Sequence, residues 1–273
     1  MRLRQGWTII ALACAAIVYG VSVSRLRDVR PDNSPELLVA LPRFVQVALA
    51  GGDRYLAANL SGFRVLVAST MRMRPEDYAV QARLQTDIAW FNAAHEDNYY
   101  VAAAILPWNG QLEAGQEVLR RAGDKRVFDW QPLFYRGFGY YHFLKEPAAG
   151  AQLLVEGAAR ATDQQDIWAL QNLAARWIER GYDGRTAAGM VSAMAASSPK
   201  GAFRNYLAAR AERIRVLEDL RDAVSAYEAR FGVRPRSLEE LVGAGFLSGP
   251  PKDPFGAEFV LGPGGVPALK PAK

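Results

Sequence analysis

The sequence predicts a mainly α-helical fold: helical hairpins in series, an N-terminal transmembrane helix, and a small C-terminal α/β appendage. Three observations carry this. An uncharged apolar run occupies residues 7–23. From about residue 37 the chain is rich in Ala, Leu and Arg at helical spacing, with glycines and prolines between the apolar segments. After Gly232 the composition changes to capping and turn residues. The expected divisions are an anchor over 1–24, a linker over 25–36, a helical domain over 37–200, a long helix over 201–232 and a module over 233–273.

The run over 7–23, "WTIIALACAAIVYGVSV", sits at the short end of what spans a bilayer, with Trp7 and Tyr19 suited to the two interfaces. A cleaved signal peptide fits less well, because "YGVSVSRL" is a poor small-residue cleavage site. A lipoprotein signal ending before Cys14 also fits less well, since the apolar run continues past it. The expectation is therefore a single-pass inner-membrane protein with its body on the periplasmic side.

The formal net charge is +5, but Arg2, Arg4, Arg25, Arg27 and Arg30 supply most of the excess. Beyond residue 30 stand 28 basic and 27 acidic residues, which argues against a nucleic-acid-binding face. Cys14 is the only cysteine, so the body has no disulfide, thiolate metal site or cysteine nucleophile.

Residues 25–36, "RLRDVRPDNSPE", read as a polar linker. Asp53, after Gly51-Gly52, is placed to cap a helix that carries Tyr55, Asn59, Phe63 and Leu66 on one stripe. Pro75 followed by Glu76 and Asp77 opens the next helix, whose buried side is expected to hold Ala79, Ala82, Ile88 and Phe91. The aromatic pair in "NYY" (98–100) with Trp90 and Trp108 reads as core. Small residues at 103, 139 and 174 recur 36 and 35 residues apart, each opening a helix–turn–helix pair. Ala202–Phe231 follows as one helix ended by Gly232, with spacing-four contacts available at Arg210–Ile214 and Arg215–Asp219.

In the last module, Ser237 with Glu240 forms a capping box before "SLEELVGAG". Asp253-Pro254-Phe255-Gly256 has the residue placement of a β-turn, "AEFVLG" reads as a strand and "PGG" as another turn.

The segment "LFYRGFGYYHFLKEPAAGAQLLVEGAAR" (133–160) resembles a tetratricopeptide repeat. Phe138-Gly139 stands for the usual Leu-Gly pair, and Ala151, Val155 and Ala158 match the second helix. The resemblance covers about residues 97–195. It implies an α-solenoid binding a peptide or helix of a protein partner in a groove. Carried over position by position, the groove-facing residues are Arg136, Tyr140, Trp168 and Gln171, and an Arg beside an aromatic suits an acidic or C-terminal peptide. Residues 227–265 resemble the C-terminal part of type II secretion major pseudopilins at Tyr227, Gly232, Pro235, Ser237, Leu238, Leu241, Pro251, Asp253, Pro254, Phe255 and Gly256. That resemblance implies a secretion or pilus setting.

Chemistry-bearing motifs are sparse. "HEDNY" starts like a zinc-protease helix, but Tyr99 stands where the second His is needed. His95 reads as a turn residue and His142 as a hydrogen-bonded core histidine. Asp253 and Glu258 are too few oxygen ligands for a calcium site. The sequence thus implies no catalytic residue, metal or cofactor, and leaves the oligomeric state open. The expected role is a non-enzymatic membrane-anchored scaffold. The alternatives are an envelope hydrolase on a helical-repeat scaffold and a minor pilin-like subunit.

Overall fold

The computed structural model describes residues 14–21, 37–68 and 73–270. They fall in two compact units that divide after Asn92, inside the segment expected as one helical domain. The described fold is mainly α-helical with a two-stranded sheet.

The expected transmembrane anchor requires correction. No helix among the described residues is long and apolar enough to cross a membrane. Of the expected span, only residues 14–21 are described. They form a helix (α1) of about 12 Å at 1.5 Å per residue, against the roughly 30 Å of a hydrocarbon core. Residues 7–13 and 22–23 lie outside the described residues, as does the whole linker read at 25–36.

The first unit contains α2 (Arg43–Leu49), α3 (Arg54–Val67) and α4 (Pro75–Phe91). The Asp53 carboxylate accepts from Tyr55 N at 2.7 Å and Leu56 N at 3.2 Å, satisfying the free amides of the first turn. Pro75 opens α4, and Asp77 accepts from Arg74 N at 2.9 Å. Ala57, Ala58, Ser61, Gly62 and Val65 form the buried face of α3, which packs against α4. The expected stripe of Tyr55, Asn59, Phe63 and Leu66 faces outward instead, and Ala79 of α4 is also exposed. Both faces of α3 are apolar, so periodicity alone cannot choose between them. The small-residue face is the one that lets two helices approach closely. Within this unit Asp87 is fully buried, accepting from Arg43 Nε at 2.5 Å and Gln46 Nε2 at 2.9 Å. Gln46 Oε1 in turn accepts from Ser61 Oγ at 2.8 Å.

The second unit runs α5 (Glu96–Ile105), α6 (Leu112–Lys125), α7 (Gln131–Gly139), α8 (Pro147–Arg160), α9 (Gln164–Gly181), α10 (Gly184–Ser197) and α11 (Ala202–Phe231). Each of these helices packs on the next. A π turn over Tyr140–Leu144 continues α7, ended by Lys145 at a φ of 60°. Asp163 and Asp183 cap α9 and α10 through their carboxylates. Leu154, Leu170, Ala174, Ile178, Val191 and Leu207 lie in the core where α8 to α11 meet. The α7–α8 approach is closest at two glycines: a Cβ on Gly150 would stand 2.8 Å from the Gly137 carbonyl oxygen and 3.0 Å from Trp177. Val155, matched to the repeat's second helix, is exposed. So are Trp90 and Trp108, although Tyr99 is fully buried and its hydroxyl donates to Asp129 at 2.8 Å. His142 is half-buried and stacked on Phe138 with ring centroids 5.2 Å apart, not a hydrogen-bonded core residue. On α11, Arg210 pairs with Glu179 and Arg215 with Glu212, in place of the expected spacing-four contacts.

The C-terminal module comprises α12 (Leu238–Gly243) and the antiparallel strands β1 (Phe259–Leu261) and β2 (Pro267–Leu269), with Val260 opposite Ala268. Ser237 Oγ accepts from Glu240 N at 3.4 Å. The Glu240 carboxylate reaches back to Arg236 N at 2.7 Å and also accepts from Tyr227 OH at 2.6 Å. The reciprocal bond of the capping box therefore lands one residue earlier than expected, and it ties α12 to α11.

Candidate functional site

Helices α9 and α11 lie side by side in a register set by three contacts. Trp168 stacks on Phe203 (centroids 5.7 Å, planes 26° apart). Tyr206 OH donates to Asn172 Oδ1 at 3.0 Å. Arg210 Nη2 donates to Glu179 Oε2 at 2.7 Å. Residue numbers rise together along both helices, so α9 and α11 run parallel. The α7 segment joins α9 through Tyr141, whose ring stacks on Trp177 at 4.4 Å and 9°.

These helices enclose a groove of about 670 Å³. Phe134, Phe138 and Tyr141 line it from the α7 side, Leu173, Arg176, Trp177, Glu179 and Arg180 from α9, and Arg210 from α11. The walls are aromatic and the charges are unevenly matched. Burial works against the charge on Arg210, yet its hydrogen bonds to Glu179 and Tyr206 outweigh this and keep it cationic. Glu179 is thereby neutralised. Arg180 bonds the Tyr141 hydroxyl and stands 5.7 Å over its ring. Among the described residues neither Arg176 nor Arg180 has a carboxylate partner. Among the described residues, the groove thus presents two guanidinium groups without a carboxylate partner, one helical turn apart, and Arg180 lies over the Tyr141 ring.

The four sequence-derived residues do not line this groove. Arg136 lies 5.8 Å over the Tyr140 ring, and the two border a hollow of about 250 Å³ between α7 and α8. Trp168 belongs to the α9–α11 seam, and Gln171 is half-buried on α9. A signal was present in the aromatic spacing of Phe134, Phe138 and Tyr141, which puts all three on one helical stripe.

The Asp253-Pro254-Phe255-Gly256 turn closes on α11. Gly256 N donates to the Asp253 carbonyl at 3.0 Å, and Gly256 takes a φ of 80° that its lack of a Cβ permits. The Asp253 carboxylate is fully buried and accepts both arms of the Arg213 guanidinium at 2.7 and 2.6 Å. It also accepts from Ala257 N at 2.8 Å. Foremost through Arg213, these bonds hold its pKa below the usual carboxylate range against the effect of burial. The Arg213 guanidinium covers the Phe255 ring at 4.3 Å, and Phe255 meets Tyr206 edge to face at 5.6 Å. All the Asp253 acceptor capacity described is thus spent within the protein.

A second hollow, about 730 Å³, lies between α12 and residues 250–259. It carries Glu239, Lys252 and Glu258, charges of both signs, and Glu258 pairs with Lys270 at 2.6 Å. Among the described residues, no group of three or more His, Cys, Asp or Glu could hold a metal ion. No protein-family model, curated protein or solved structure matches this chain.

Proposed function

We propose that the protein is a non-enzymatic binding scaffold. In this reading its tetratricopeptide-like hairpins form a short solenoid, and an acidic segment of a partner protein lies in the groove between α7, α9 and α11. One observation carries the proposal: among the described residues, Arg176 and Arg180 stand without carboxylate partners beside Phe134, Phe138, Tyr141 and Trp177. Two cations without a carboxylate among the described residues, beside aromatic side chains, favour a ligand that brings both negative charge and apolar side chains. Parallel leading helices support the solenoid, because stacked hairpins expose one helix of each pair to a common surface. A secretion or pilus setting has support only from the pseudopilin-like residues of the tail.

The test is crosslinking with mass spectrometry in cells that make the protein, followed by capture of the crosslinked partner with purified chain. Exchanging Arg176 and Arg180 for Glu is expected to abolish capture while leaving the circular dichroism spectrum and thermal midpoint unchanged. Undiminished capture by the double variant would refute the groove assignment, and the lack of any reproducible partner would refute the scaffold role.

A further inference from the structure

The first unit buries polar side chains beside its apolar core and leaves large apolar ones exposed. Gln46, Ser61, Gln81, Gln85 and Asp87 are buried, while large apolar side chains of α2 and α3 point outward. Phe44 is 75% exposed, Phe63 66%, and Leu49, Leu56, Leu60 and Leu66 are also exposed. At about 100° per residue, the outward residues of α3 fall within an arc of about 140°, interrupted by Asn59 alone. Contiguous apolar surface on this scale marks an interaction site. Arg54 lies over Tyr55 and Arg64 follows Phe63 at the border of this face, while Arg43 is paired with the buried Asp87. Residues 37–68 contain Arg43, Arg54 and Arg64, and their single acid, Asp53, has its carboxylate committed to the α3 cap.

We propose that the outward face of α2 and α3 docks on an anionic lipid surface, lying in the plane of the headgroups. Two features select this occupant. A helix face of Leu and Phe bordered by arginines matches the interfacial region, where apolar side chains enter the acyl boundary and cations meet headgroup phosphates. A second copy of the chain would bring the same arginine-bordered face against itself, opposing like charges. This docking needs no membrane-spanning helix and does not depend on the groove of the second unit.

The test places the probe on the face itself, so that association through other residues is not mistaken for it. The full chain carries Cys14→Ser and Phe63→Cys, labelled with an environment-sensitive fluorophore. A second chain carries Leu60→Cys, in case the first position perturbs folding. Vesicles are phosphatidylcholine alone, or with about one third phosphatidylglycerol. The expected result is a blue shift and quenching by brominated acyl chains on the anionic vesicles. Adding Leu56→Gln and Leu66→Gln should weaken partitioning by about tenfold or more. An unchanged spectrum on anionic vesicles from both labelled positions would overturn the proposal. So would a spectrum already blue-shifted before vesicles are added. A doubled mass by light scattering would then identify a second copy as the occupant, and a monomer mass another segment of the same chain.

Discussion

Replacing Arg213 with Ala should release the C-terminal turn from α11. The Asp253 carboxylate would remain in a fully buried position with only backbone N–H groups to compensate it. Removing one partner of a buried pair costs about 3–5 kcal/mol. Arg213 is 26% exposed, so water recovers part of that, and the lost contact to Phe255 adds only about 0.5–1 kcal/mol. The expected cost is about 2–4 kcal/mol. It should appear as local opening rather than global unfolding, because the turn meets α11 through Arg213 and Tyr206 alone among the described contacts. At about 1.4 kcal/mol per factor of ten, amide hydrogen exchange at Gly256 and Ala257 should quicken by about 30- to 700-fold. Arg213→Met keeps the aliphatic stem over Phe255 and should show most of the same effect. Exchange at these two amides within about threefold of the parent would refute the reasoning. The pH dependence follows from the same bonds. The folded state holds the Asp253 pKa below its unfolded value of about 3.9. Its stabilising contribution is therefore complete above that value and lost as pH falls through the folded one. Protection at Ala257 should persist at pH 4 in the parent chain and fade in stronger acid.

Gly150→Val should lower the thermal midpoint measured by circular dichroism, since its Cβ would meet the Gly137 carbonyl at 2.8 Å. Overpacking of this kind costs about 1–3 kcal/mol, and an unchanged midpoint would mean that α7 and α8 can separate freely. Asp87→Asn should destabilise the first unit by about 3 kcal/mol or more in urea, because Arg43 and Gln46 would lose the fully buried carboxylate they share. Asp163→Ala should cost about 1 kcal/mol by freeing the Gln165 and Asp166 amides, which denaturant titration would detect.

Local features were the most legible from sequence. Pro75 starts α4, and the long helix spans Ala202–Phe231 with Gly232 at a φ of 73° beyond its end. These depend on neighbours a few residues away, whose chemistry is written consecutively in the chain. The face each helix buries was less legible. Tyr55, Phe63 and Leu66 were grouped correctly on one stripe, yet α3 turns Ala57, Ser61 and Gly62 inward. Arg136 and Tyr140 border the hollow between α7 and α8, while Phe134, Phe138 and Tyr141 line the larger one beside α9.

By itself the sequence determined that the fold is mainly helical, where α3, α4 and α12 start and where α11 ends, and that the Asp253 turn is a corner of the chain. Caps, prolines and glycines act through backbone conformation within a turn or two, so no distant partner is needed to fix them. Only the tertiary structure decided that Arg213, 40 residues earlier, holds the Asp253 turn, and that α9 and α11 run in register through Trp168, Asn172 and Glu179. It also decided that, among the described residues, Arg176 and Arg180 of α9 have no carboxylate partner while Arg210 of α11 pairs with Glu179. Pairings of this kind depend on which helix faces meet, and a single helix with two apolar faces leaves that choice to its neighbours.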